Sequence, residues 1–135
     1  MTTERRMNAT DTVELTVPAD PAYLAMLRTV VASLAALRDF TLDEIDDLRI
    51  AVDEAGALLL PHAGPGSRLS AVFGGSADAL RVEVAVTAPQ DITGSPDRSS
   101  FAWLVLTALT DSVVLDESGP RLSLVLSKAR GAQDR

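Results

Sequence analysis

The stretch 41–61 does most to limit what this chain can fold into. Thr41 and Glu44 have the S/T-x-x-E spacing of a capping box, which closes a helix by giving partners to amides that have none inside it. Ile45, Leu48, Val52, Ala55 and Leu59 then recur at helical spacing, while Asp43, Asp46, Asp47 and Arg49 take the outward side. Pro61 restricts Leu60 away from helical angles, so the spacing predicts a helix ending near Leu59 or Leu60. A helix with one apolar stripe and a charged back is not a core by itself. It needs a surface to lie on.

The flanking segments supply that surface. Val13, Leu15 and Val17 alternate within 12–17 as one face of a strand. Asp20-Pro21 reads as an N-cap and first helical residue, opening a helix whose apolar positions are Leu24, Leu27, Val31, Leu34 and Leu37. Segments 68–74 and 79–87 alternate as two strands about Gly74-Gly75-Ser76. After a Pro-, Asp-, Gly- and Ser-rich loop at 88–99, residues 101–110 are apolar at helical spacing through Phe101, Leu104, Val105 and Ala108. A last hairpin joins 112–115 to 121–126 about Ser118-Gly119-Pro120. The order β-α-α-β-β-α-β-β predicts an α/β two-layer sandwich, a mostly antiparallel five-stranded sheet with three helices on one face. With 135 residues there is room for one domain, read here as 12–128 with flexible termini at 1–11 and 129–135.

Composition removes several function classes. Twelve basic against nineteen acidic residues give a net charge of −7, which argues against a nucleic-acid binder. Cysteine is absent and His62 is the sole histidine, excluding disulfides, thiolate nucleophiles and multi-histidine metal sites. The apolar runs are too short for a membrane span and the opening MTTERRMNAT has no signal-peptide core, so the expected setting is cytoplasmic, without membrane contact.

Several residues invite chemistry. The cluster Asp43, Glu44, Asp46, Asp47 reads first as carboxylates at the positive end of a helix dipole, and only second as a metal or acid–base site. Glu54 and His62 stand two helical turns apart with Leu58 between, an acid–histidine pair with no nucleophile at a recognisable spacing, against a plain cap or packing role for His62. Trp103 lies among apolar residues and reads as core rather than as a partner anchor. Arg28 sits beside Met26, Leu27 and Val30 with no acid at i±3 or i±4. Either its stem covers apolar surface or its guanidinium is aimed at a carboxylate on another chain.

Three segments, PADPAYLAMLRTVVASL (18–34), IDDLRIAVDEAGALLLPHA (45–63) and RSSFAWLVLTALTDSV (98–113), resemble the anti-sigma-factor serine kinases of bacterial partner-switching systems, built on the GHKL (Bergerat) ATPase fold. In particular they are similar to the divergent anti-sigma factors of actinobacterial stress-response sigma factors. The resemblance covers nearly the whole chain and implies the same element order. It implies that Glu54 stands where the family has its general base, but the magnesium-ligating Asn four residues on is Leu58, whose alkyl group offers no oxygen to a hard cation. The adenine-binding Asp-x-Gly-x-Gly is matched by Ala88-Pro89-Gln90-Asp91-Ile92, and the phosphate-cradling glycines by Ser100 and Ala102. The ATP lid is shortened to 89–97. Such losses, each costing on the order of one to a few kcal/mol, leave no cofactor and no metal expected; ATP and magnesium belong only to the alternative of an active kinase using Glu54. Arg28 and Arg98 match the arginines by which the family engages its partners. The resemblance thus implies sequestration of an alternative sigma factor, release by an anti-anti-sigma protein, and a homodimer.

Overall fold

The computed structural model describes residues 11–89 and 96–131. Its sheet holds β1 (Val13–Pro18), β2 (Arg68–Ser76), β3 (Ala79–Thr87), β4 (Ser112–Ser118) and β5 (Arg121–Ala129), in the order β1-β2-β3-β5-β4 with every neighbour antiparallel. Helices α1 (Leu24–Leu37), α2 (Leu42–Leu59) and α3 (Phe101–Leu109) make the second layer. A 3₁₀ turn at Pro21–Tyr23 leads into α1, with the Asp20 carboxylate accepting from the Ala22 amide; another at Leu60–His62 follows the end of α2 at Leu59, and Leu60 keeps helical angles (φ −56°, ψ −38°) in spite of the proline after it.

Register explains why one side of the sheet is core. Leu15, Ala71, Val84, Leu124 and Leu115 stand side by side as one row across five strands, and Val17, Leu69, Val86 and Leu122 form the next. Because successive strand residues point to opposite faces, these rows all turn toward the helices. Leu27, Val31, Leu48, Val52, Ala55, Leu59 and Leu106 meet them, each at most 1% exposed. On the other face the ion pair Arg121–Glu83, 3.0 Å long, connects residues two positions either side of the paired Ala85 and Ser123, and so arches over them. Both small residues are buried there.

Four further sequence expectations change. The β2–β3 turn is Ala77-Asp78 and not Gly74-Gly75-Ser76: the strand runs on to Ser76, and Gly75 adopts φ 127° inside it, where a Cβ would collide with the Ala79 carbonyl oxygen. Leu37 is 66% exposed, and the inward place at the end of α1 belongs to Arg38, 2% exposed, whose Nε donates to the Ser76 carbonyl at 2.9 Å. The α3 stripe is turned over: Phe101, Leu104 and Ala108 face outward while Ala102, Trp103 and Leu106 pack on the core. The expected flexible C-terminus begins too early, because Ala129 is still strand and the Arg130 and Gly131 amides donate to the Asp78 carbonyl and the Glu44 carboxylate. Residues 1–10 and 132–135 lie outside the described residues, as do Gln90, Asp91 and Ile92 of the adenine-motif match and most of the shortened lid.

Candidate functional site

Helix α1 places Leu24, Leu27 and Val31 inward, which leaves Arg28 on the flank facing α2. There its Nη1 donates to Asp53 Oδ1 at 2.5 Å, with both side chains more than one-third exposed. An ion pair so open to water adds less than about 1 kcal/mol to stability; what it does is fix where the guanidinium points. The absence of an acid at i±3 or i±4 therefore does not leave Arg28 alone, since its partner comes from the neighbouring helix.

Arg28 and Asp53 line an open groove of about 490 Å3 with Asp46, Arg49, Ile50 and Glu54. A second, shallower depression continues across α1 past Ala25, Thr29, Ala32 and Ser33, sharing Arg28 and Arg49. The groove offers charges of both signs around the half-exposed Ile50, a composition suited to a polypeptide surface rather than to a small apolar ligand. Of the residues picked out by sequence, Arg28, Asp46 and Glu54 are brought together here. Glu54 makes no hydrogen bond or ion pair with a described residue, and no hydrogen bond joins it to His62.

Arg98 lines neither depression. It precedes α3, with its guanidinium carbon 5.6 Å from the centre of the Trp103 ring, a cation–π arrangement. Trp103 is half-buried against the core, as expected, and also carries Arg98. The start of α3 is closed by its own residues. Ser100 Oγ accepts the Trp103 amide at 3.2 Å and donates to the Asp97 carbonyl at 2.7 Å. Asp97 Oδ1 accepts from the Ser99 hydroxyl at 2.6 Å and the Ser99 amide at 2.8 Å, bonds that hold its carboxyl below the usual carboxylate range. Leu58 is buried in the hydrophobic core, 9% exposed.

The acidic cluster on α2 is dispersed. Glu44 completes the capping box, Asp46 lies 3.8 Å from Arg49, and Asp47 lies 3.8 Å from Lys128. Among the described residues no three His, Cys, Asp or Glu side chains are grouped so as to hold a metal ion, and no helix is long and apolar enough to cross a membrane. Asp53 is the site residue that sequence reading misses, because its partner lies 25 positions away and no local spacing marks a contact between helices.

Residues 17–128 match the histidine kinase-like ATPase domain family. The chain is similar to the anti-sigma-F factor RsbW of Mycobacterium tuberculosis (strain ATCC 25618 / H37Rv), 34% identical over 140 residues, covering 98% of this chain and 82% of that protein. It is also similar to the serine-protein kinase RsbW of Bacillus subtilis (strain 168), 38% identical over 81 residues, 58% of this chain and 51% of that one. A third relative, the serine-protein kinase RsbW of Bacillus cereus (strain AH187), is 26% identical over 132 residues, 84% of this chain and 82% of its own.

Proposed function

This chain belongs to the histidine kinase-like ATPase domain family as an RsbW-like member, and from that premise we propose that it is an anti-sigma factor acting by stoichiometric capture of an alternative sigma factor. The observation that carries the reading is the similarity, along 98% of the chain, to a protein named as an anti-sigma-F factor. Release by an anti-anti-sigma protein, a homodimeric state and a cytoplasmic setting belong to the same proposal.

Capture needs a surface and no turnover. The α1–α2 groove supports this role, with Arg28 held in place by Asp53 as a bidentate donor for a partner carboxylate. Arg98, supported on Trp103, is a second contact in the proposal. The net charge of −7 favours encounter with basic, DNA-binding regions of a sigma factor.

The residues present fit poorly to magnesium and ATP. Leu58, at the position of the metal ligand, is a buried hydrocarbon. Ser100, at a cradle glycine, uses its hydroxyl to occupy an amide at the start of α3 that phosphate would otherwise take. The second reading, an active serine kinase, is favoured by the similarity to serine-protein kinases of Bacillus and by Glu54, whose side chain is solvent-accessible and without a partner among the described residues.

Titration of the full chain with purified alternative sigma factors of the source organism tests the proposal. We expect one to bind without nucleotide, and Arg28→Glu to weaken it tenfold or more, the scale of a hot-spot residue. Unchanged affinity in that variant would remove Arg28 from the interface, and no binding by any sigma factor would defeat the anti-sigma reading. Transfer of labelled phosphate from ATP to a cognate antagonist would establish the kinase reading.

A further inference from the structure

The groove between α1 and α2 is lined by three carboxylates and two guanidiniums, Asp46, Asp53 and Glu54 against Arg28 and Arg49. Arg28 is bonded to Asp53, and Arg49 stands 3.8 Å from Asp46. That leaves Glu54, half-buried and without a hydrogen bond or ion pair among the described residues. Its own helix offers no cation within reach, since the i±3 and i±4 positions hold Ala51, Ala57, Ile50 and Leu58. A carboxylate on the outside of a helix is ordinary. This one stands one turn from Ile50, a large apolar side chain that keeps 46% of its surface exposed inside the same groove.

We propose that Glu54 is a recognition carboxylate: it receives a Lys or Arg of the captured protein, while Ile50 takes the apolar residue beside that cation. The inference rests on the capture reading above and names the chemistry its groove selects. Charge complementarity decides the occupant. With both arginines already facing acids, a partner carboxylate beside Glu54 would meet a like charge, whereas a cation completes the last pair. An apolar contact ringed by charged groups is the arrangement of an interface hot spot, because the ring shuts water out once a partner is seated. Spacing narrows the partner further. Residues four apart on a helix have Cβ atoms about 6 Å apart, so the apolar residue and the cation are close neighbours on the captured surface. At about 100° per residue around α2, Ile50 lies between Asp53 and Glu54. Arg28 keeps guanidinium nitrogens beyond the one bonded to Asp53 for a partner carboxylate. Read from α1 across α2, the groove therefore selects an acid, then an apolar side chain, then a base.

The test is isothermal titration of the full chain, without nucleotide, with the sigma factor that the wild-type protein captures in the titration above. Glu54→Gln keeps the shape and removes the charge, and should weaken binding about tenfold; Glu54→Asp should lose less and Glu54→Arg more. Added salt should narrow the gap between the wild type and Glu54→Gln, because it screens an ion pair. Ile50→Ala, at a half-exposed position on which the core does not rest, should also weaken binding about tenfold. Glu117→Gln removes the same unit of charge from an exposed position on β4, outside the groove, and should leave affinity unchanged. Wild-type affinity in both Glu54→Gln and Glu54→Arg, the result of a role confined to phosphoryl transfer, overturns the inference and leaves the capture reading standing. An equal loss in Glu117→Gln does the same, by giving the effect to overall charge. Wild-type affinity in Ile50→Ala overturns its apolar half. Capture of no sigma factor by the wild-type chain overturns both the inference and the reading beneath it.

Discussion

Asp39 is the one non-glycine described residue with a positive φ, 61°, and it stands just past the end of α1. Its amide donates to the Ala36 carbonyl and the Phe40 amide reaches back to Ala35, each at 3.1 Å, the paired bonds of a Schellman cap. That cap usually has glycine at the left-handed position, because a Cβ there costs about 1 kcal/mol or more. Asp39→Gly should therefore stabilise the protein by about 1 kcal/mol in urea denaturation, and a loss of stability would mean that the aspartate contributes something this geometry does not contain. At this scale the sequence conveys residue type better than residue partner. The cap at Thr41 and Glu44 is legible because both ends lie within four residues, and the two bonds form as expected. Arg28 is singled out by its apolar neighbours, but its bond to Asp53 depends on how α1 crosses α2, which no local pattern encodes. The buried Arg38 is hidden for the same reason, its acceptors being the Leu34 carbonyl and a carbonyl 38 positions away.

Among the elements, α2 was the most legible and α3 the least, for opposite reasons. Polar contrast around α2 marks its buried side, and Leu48, Val52, Ala55 and Leu59 all lie there. In α3 nearly every residue is apolar, so Phe101-Leu104-Val105-Ala108 and Ala102-Trp103-Leu106 are equally good stripes, and the packing of α3 against α2 and the sheet decides between them. The glycines of β2 misled in another way: Gly75 marks a close approach between strands and not the end of one. The start of α2 also gathers the C-terminal segment. Partial burial pushes the Glu44 carboxyl up, but bonds from the Thr41 and Gly131 amides and the Thr41 side chain, with the nearby Lys128 charge, outweigh it and hold it below its ordinary value. A lowered native value stabilises the fold above the unfolded carboxylate range, near pH 4.3, and that contribution is lost as pH falls through the lowered native value. Glu44→Gln should thus be less stable than the parent at pH 7, with the gap narrowing as the pH is lowered below about 4; a gap independent of pH would show that the carboxylate charge is not involved.

In the whole molecule the helical layer separates two surfaces, a charged groove between α1 and α2 and an apolar ridge on α3. The sheet beneath them is a continuous antiparallel platform with its core on one side. Its architecture was legible because hairpin and helix signals alternate cleanly along the chain. Apolar neighbours single out Arg28 and the spacing to His62 singles out Glu54, family resemblance adds Arg98, and only the packing of the elements separates Arg98 from the other two. Leu58 is a buried hydrocarbon and Ser100 caps α3 with its own hydroxyl, the two features from which we propose that the fold captures a partner without holding a nucleotide. The most direct test is isothermal titration of MgATP into the full chain. We predict no saturable heat up to about 1 mM ligand, a bound weaker than about −4 kcal/mol; saturation at micromolar concentration, near −8 kcal/mol, would contradict the account.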